Sequence, residues 1–309
     1  MSGSTTPGYD LSFLSEKDCE VIARATPFRF HRPFAASGSP DFLEPFILID
    51  DPERAGATLG LILTPPRRED LSNQVECLND PAVAPQLIGP PFPYTLEMAQ
   101  EWSEMRWSQT EDYFHRLQGA ASGNEDQLAS FGEPPFASIR DRTGGEWIGE
   151  IGVNRWEFRE FGTQGNDDAR DRLRRANDAR RVGDPELVWS FGYYVSPRFH
   201  GQGIMTRVLS SMMKTVFVGL LRAGVVRGSA FIDNKPSIKV QERCGLVKMR
   251  KEDEQAKGQH GNDHDGEDDR YKDDGDRGCV RFWHQVSEGR GGGQREEIVL
   301  EWRRERPSE

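Results

Sequence analysis

Apolar and polar positions change rhythm along this chain of 309 residues, and the changes mark out its elements. Residues 188–195 (Val-Trp-Ser-Phe-Gly-Tyr-Tyr-Val) are aromatic and β-branched and predict a strand, which Ser196-Pro197 ends. From Met205 onward Val208, Leu209, Met212, Met213, Val216, Phe217, Leu220 and Leu221 recur at steps of three and four, one face of an α-helix. Residues 225–232 return to the strand rhythm. A short helix follows, with Asp233 or Asn234 to cap it, Pro236 in its first turn and Gly245 to close it. Upstream, Leu59–Pro66 predicts a strand, and Arg67-Arg68-Glu69-Asp70 opens a helix. Residues 136–141 and 146–153 predict a hairpin about Arg142-Thr143-Gly144-Gly145, and 296–302 a last strand. Phe28–His31 and Phe46–Ile49 are two further short strand candidates.

The chemistry lies between the strand at 188–195 and the helix after it, where the chain reads Arg198-x-x-Gly201-x-Gly203. A helix start offers unpaired N–H groups and the positive end of the helix dipole, and glycine lets phosphate oxygens approach the backbone. The order strand, glycine loop, helix therefore predicts a phosphate-bearing ligand. A dinucleotide fingerprint would need glycine at position 206, which is threonine, and no P-loop run Gly-x-x-x-x-Gly-Lys-Ser/Thr occurs. On its own so short a motif also fits a plain strand–helix connection.

The loop resembles the coenzyme A pyrophosphate loop of the GNAT N-acetyltransferases. A second stretch, Asn234-x-x-Ser237-x-x-Val240-x-x-Arg243-x-Gly245-Leu246, resembles that family's Asn-x-x-Ser-x-x-Val-x-x-Lys-x-Gly-Phe, with Arg for Lys and Leu for Phe. Residues 77–83 and 93–102 look like the opening helices of the branch that acetylates ribosomal-protein alanine. The resemblance covers roughly residues 59–304 and implies an α+β fold, namely a mixed, mostly antiparallel sheet of six or seven strands flanked by helices on both faces. Its central strands would diverge near Val195. The cosubstrate would be acetyl-CoA, with no metal. By the same resemblance Arg198 and the amides of Phe199, His200, Gly201, Gln202, Gly203, Ile204 and Met205 would hold the pyrophosphate. Asn234 would contact the pantetheine arm, Ser237 would lie near the sulfur, and the amide of Tyr194 or Val195 would polarise the thioester carbonyl.

Proton carriers are less well marked. The position where many relatives have a glutamate is Ser190, so Glu186 at the strand start and Glu150 on the preceding strand are the candidates for general base, each with exposed strand-end charge as its plain alternative. Where the family has a tyrosine to protonate the thiolate stands Gln241, which leaves Ser237 or water. The favoured function is acetyl transfer to a primary amine, of a protein N-terminus or a small molecule. The competing reading is a non-catalytic acyl-CoA-binding module that has lost its acid and base.

Composition adjusts this picture at the margins. A net charge of −11 speaks against a nucleic-acid-binding surface and favours cationic acceptors. Residues 1–57 form an N-terminal extension, partly irregular, before a domain at 58–304 and a tail at 305–309. Two polar insertions interrupt the domain. The one at 160–184 is Arg/Asp-rich and predicts a solvated loop or short exposed helix, while 251–278 is rich in Asp, Glu and Gly and predicts disorder. Gln259-His260-Gly261-Asn262-Asp263-His264-Asp265 has metal-ligating residue types but no rigid frame to hold them, and a solvated acidic loop is the better reading. Cys19, Cys77, Cys244 and Cys279 show no paired spacing and fit reduced thiols. No signal peptide or membrane span is read, because Lys214 and Arg222 break the longest apolar stretch, so the expected compartment is the cytoplasm, with the nucleus open. Oligomeric state is left undetermined.

Overall fold

The computed structural model describes residues 7–32, 42–49, 60–121, 132–143, 145–161, 167–250, 279–287 and 290–304. The insertion at 251–278, with the residues weighed as metal ligands, lies outside them. Helix α1 (Glu16–Ala25) precedes strands β1 (Phe28–His31), β2 (Glu44–Ile49) and β3 (Leu61–Thr64). Helices α2 (Leu71–Asn79) and α3 (Leu96–Ala121) follow, then β4 (Ser138–Asp141), β5 (Trp147–Arg155), α4 (Asp167–Asp178) and β6 (Val188–Val195). Helix α5 (Ile204–Met212) leads through β7 (Val225–Phe231) and α6 (Lys235–Arg243) to β8 (Val247–Lys248), β9 (Arg281–Gln285) and β10 (Gln294–Arg303).

All ten strands join one sheet in the order β1-β2-β3-β4-β5-β6-β7-β10-β8, with β9 also on β10. Every pairing is antiparallel except β6 with β7. The strand number exceeds the six or seven expected. The N-terminal extension supplies β1 and β2, and β8 and β9 pair end to end along the outer edge of β10.

Side chains alternate between the two faces, so β6 separates its neighbours cleanly. Phe191 and Tyr193 point to the face that carries α5 and α6, against Phe217 and Ser237. Tyr194 points to the opposite face, in a cluster with Leu78, Tyr94 and Ala99 of the α2–α3 region. Helix α5 earns its place by burying Ile204, Met205, Val208, Leu209 and Met212, each contributing about 1.5–3 kcal/mol. Its continuation at Met213–Leu220 winds more loosely, with the Leu221 N–H bonding back to Val216, and still buries Val216, Phe217 and Leu220. In the Arg/Asp-rich insertion the structure has the helix α4. Among the described residues no helix is long and apolar enough to cross a membrane.

The extension is locked to the rest of the sheet by charge. Glu44 on β2 is fully buried and accepts hydrogen bonds from Tyr9 Oη at 2.6 Å and from Arg67 Nε and Nη2 at 2.8 and 2.5 Å. Burial alone would raise this carboxyl, but His31 and Arg67 hold it down to about 2. A similar buried pair, Arg140 with Asp70 at 2.5 Å, ties β4 to the start of α2.

Candidate active site

The parallel pairing of β6 with β7 stops at Ser190–Arg227. Beyond it the two strands part, five residues earlier on β6 than the divergence expected at Val195, and a gap opens in the middle of the sheet. Ladder alternation says which groups line it. The Ser196 N–H bonds to Ile148 O and the Trp156 N–H to Val188 O, so the even-numbered residues of β6 turn their backbone groups towards β5. Those of Tyr193 and Val195 therefore face the gap, while the amide of Tyr194 belongs to the β5 ladder. Of the two donors expected for the thioester carbonyl, Val195 is the one directed into the gap. The Tyr194 side chain, by contrast, turns to the opposite face. On the facing edge the carbonyls of Ser229 and Phe231 are taken by Gln241 Nε2 and the Asn234 N–H, leaving the amides of these two residues turned to the gap.

At the top of β6 the chain turns through Pro197–Phe199 into α5. Gly201 and Gly203 have φ of +73° and +72°, a region side chains rarely adopt, and a Cβ added at Gly201 would meet no atom within 4 Å. Open space thus lies beside Gly201, two residues before α5 begins at Ile204 with its free amides, the arrangement expected of an anion site. Phe199 packs on the core, and Gln202 Nε2 holds the Arg198 carbonyl at 3.0 Å. Exposed His200 bonds through Nε2 to Val195 O at 2.7 Å, closing the last backbone acceptor of the strand. Arg198 is turned aside, paired with Glu146 at 2.9 Å on the β4–β5 turn.

On the α6 side Asn234 Oδ1 caps the helix by accepting the Ser237 N–H at 3.2 Å, so only its amide nitrogen is left for a ligand. Ser237 Oγ lies 2.9 Å from Tyr193 Oη, a tyrosine pushed up to about 12 by burial. Gln241, buried at the position where a family tyrosine is expected, donates weakly to Ser237 Oγ at 3.4 Å. A tyrosine hydroxyl is thus present beside Ser237 after all, but it arrives from β6.

On the other face Glu150 of β5 sits opposite Tyr194 and accepts from Tyr194 Oη at 2.7 Å and from Gln74 Nε2 of α2 at 2.6 Å. Burial raises its carboxyl above the ordinary glutamate value, although both hydrogen bonds and the positive charge of Arg106 on α3 oppose this. Two positions along, Gly152 and Gly192 face each other, and a Cβ at Gly192 would meet nothing within 4 Å. They floor a trough between Glu150 and the Asn154–Ser190 pair. Arg290 and Arg295, at the β9–β10 turn, reach over to the α2–α3 connection. Arg290 donates to the carbonyls of Ala84, Leu87 and Pro90, and Arg295 to Pro85, and together they strap the top of this face.

The remaining candidates separate. Ser190 shares the Glu150 face but stands at the far end of the trough, four positions from Tyr194, and on the opposite face from Ser237. Glu186 is exposed and precedes β6, whose eight residues span roughly 26 Å, so it lies at the end of the strand away from Val195. Tyr193, Gln74 and Arg106 were not singled out in the sequence. Strand alternation places Tyr193 on the Ser237 face, whereas nothing in a single sequence pairs Gln74 or Arg106 with Glu150. Among the described residues no group of His, Cys, Asp and Glu is arranged to hold a metal ion.

Residues 60–247 match the acetyltransferase (GNAT) domain, well over half of the chain. No curated protein matches the sequence. Solved structures that are similar include a ribosomal-protein-S5-alanine acetyltransferase from Vibrio fischeri, 12% identical, with 79% of this chain and 92% of that one covered and a TM-score of 0.40. A ribosomal L7/L12 α-N-protein acetyltransferase solved with coenzyme A is 13% identical over 83% and 97%, with a TM-score of 0.39. A microcin C7 self-immunity acetyltransferase solved with acetyl-CoA and AMP is 11% identical over 80% and 93%, with a TM-score of 0.43. Likenesses this distant lend the site no residue roles. The family match covers the strand, glycine loop and helix of the cradle as well as the gap beside them, and the chain belongs to the GNAT acetyltransferases, an acyltransferase that uses acetyl-CoA.

Proposed function

We propose that this enzyme transfers the acetyl group of acetyl-CoA directly to a primary amine, with the amine entering on the Glu150 face and the cosubstrate on the face of α5 and α6. The observation that carries the reading is the set of backbone amides of Tyr193, Val195, Ser229 and Phe231, with the Tyr193 carbonyl, turned to the gap from its two edges and outside the strand ladders. Buried backbone groups need partners, and the amide-bearing pantetheine arm supplies donors and acceptors of the right kind. The bare cradle at Gly201–Met205 fits the pyrophosphate at one end of that arm.

Acetyl-CoA brings a thioester, and the chain's own groups do the rest. The Val195 amide is aimed where negative charge develops on the carbonyl oxygen, a role worth about 3–4 kcal/mol where such donors have been removed. Glu150, its proton affinity raised by burial, takes the proton that the attacking nitrogen must lose. Tyr194 and Gln74 hold that carboxylate in one orientation. On the opposite face Ser237, backed by Tyr193, is the hydroxyl placed to donate to the departing sulfur.

The test is calorimetric titration with acetyl-CoA of the wild type and of Gly201→Glu, followed by transfer to a panel of amines. The open space at Gly201 lets the new side chain fit with only about 1–2 kcal/mol of backbone strain, checked by thermal unfolding. Its carboxylate repels the pyrophosphate, and Kd rises at least tenfold. Equal affinities in the two proteins would remove the cradle from the proposal.

A further inference from the structure

Trp102 and Met105, 50% and 42% exposed, stand beside each other on α3, one turn apart, where a helix of a monomeric protein usually shows polar residues. Together with Met98 they occupy a stripe about 60° wide on the helix. The stripe is continuous with the site at two points. Met98 is half-buried and packs on the cluster that holds Tyr194. Arg106, one turn beyond Trp102, lies within the field of the Glu150 carboxylate, the group that would take the amine proton. Away from the site the stripe is bordered by Glu97, Glu101 and Glu104, all exposed, and residues 96–109 hold no cation besides Arg106. Trp102 and Met105 keep about half their surface open, and of the three acids Glu104 accepts a hydrogen bond from Gln100 Nε2 of the same helix at 2.8 Å.

An apolar strip with a carboxylate row on one side and the reacting centre on the other is matched by an extended, basic polypeptide. Trp102 and Arg106 are one helical turn apart, about 5–6 Å between Cβ atoms, so a chain running out from Glu150 past Arg106 meets Trp102 within a few extended residues. We propose that α3 is the docking strip for a polypeptide acceptor whose amino terminus enters at Glu150. An apolar side chain at its third or fourth position packs on Trp102 and Met105. Neighbouring Lys or Arg side chains meet Glu97, Glu101 and Glu104. This rests on the amine-transfer reading above and narrows its acceptor.

The test uses the full chain with two variants, Trp102→Ser/Met105→Ser and Glu97→Gln/Glu101→Gln/Glu104→Gln, none of which touches the reacting groups. Acceptors are octapeptides starting with Ser or Ala and carrying Leu at the fourth position, flanked by Lys in one series and Glu in the other. Benzylamine serves as the small acceptor. Both variants raise KM for the basic peptides about tenfold, the change expected for losing about 1.4 kcal/mol, with kcat unchanged. The wild type prefers the basic over the acidic series at low salt, and the triple variant loses that preference. Benzylamine turnover is the same in all three proteins. The proposal falls if the variants use the basic peptides as well as the wild type does, if peptide and benzylamine turnover decline together, or if the wild type acetylates only benzylamine. It also falls if sedimentation shows a dimer that Trp102→Ser/Met105→Ser dissociates, since the strip would then be filled by a second copy. Acetyl-CoA binding without transfer to any acceptor would overturn the amine-transfer reading itself.

Discussion

Glu150 is a carboxylate in a place that does not favour charge. It is buried on β5, and its proton affinity is raised by that burial before any substrate arrives. A base must be deprotonated to act, so if Glu150 is the base, as proposed, activity rises with pH through its pKa, and that rise lies above the range of an ordinary glutamate. Replacement by Gln keeps the shape and a hydrogen bond with Tyr194 but removes the proton acceptor. Glu150→Gln therefore lowers kcat about 10²–10⁴-fold, leaves the Kd for acetyl-CoA within twofold, and abolishes the acidic limb of the pH–rate profile. A variant with full activity, or one that keeps the limb, would show that the base lies elsewhere. Residue by residue, the sequence was most informative where backbone conformation decides identity. Gly201 and Gly203 announce themselves by position, because a left-handed turn admits few residue types, while the helix cap narrows to Asp233 or Asn234, of which the structure uses Asn234. Glu150 could be named but not preferred over Glu186, since what distinguishes them is burial and a partner on α2, 76 positions away. The Tyr193–Ser237 pair was hidden for the same reason.

Among elements, the long apolar ones were legible and the short ones were not. The central strands and α5 carry unbroken or strictly periodic apolar runs, because they are covered on one or both faces. Strands β8 and β9 hold two and five residues on an outer edge, where no period can develop. The N-terminal extension read as partly irregular because its union with the sheet depends on a polar contact, Glu44 with Arg67 and Tyr9, which periodicity does not see. That contact makes a prediction at this scale. Removing one partner of a buried pair leaves the other uncompensated, so Glu44→Gln destabilises the protein by about 3–5 kcal/mol at neutral pH. The folded pKa of Glu44 lies at about 2, below its unfolded value, so its stabilisation is present above the unfolded pKa and is lost as pH falls through 2. Denaturant unfolding of the two proteins should therefore differ most at pH 7 and converge between about pH 4.5 and pH 2. A constant difference across that window would mean that the effect comes from packing rather than charge.

At the scale of the whole molecule, the sheet runs from the N-terminal strands to the β8–β9 edge, and near its middle lies the seam where β6 and β7 part company. A protein that leaves its central seam open is incomplete by its own architecture: in the proposed function the cosubstrate would serve as the missing strand, and its binding would be the last step of sheet formation. The consequence is measurable without any acceptor. Backbone protons of Tyr193, Val195, Ser229 and Phe231, which face the seam, exchange with deuterated solvent faster than those of Gly192 and Tyr194, which are held by β5. Saturating acetyl-CoA should slow the first set by tenfold or more and leave the second unchanged, and a uniform response in both would mean that the seam is not where the ligand lies. On the proposed reading acetyl-CoA would be both the acetyl donor and a structural member of the fold, and the enzyme would be at its least stable between turnovers.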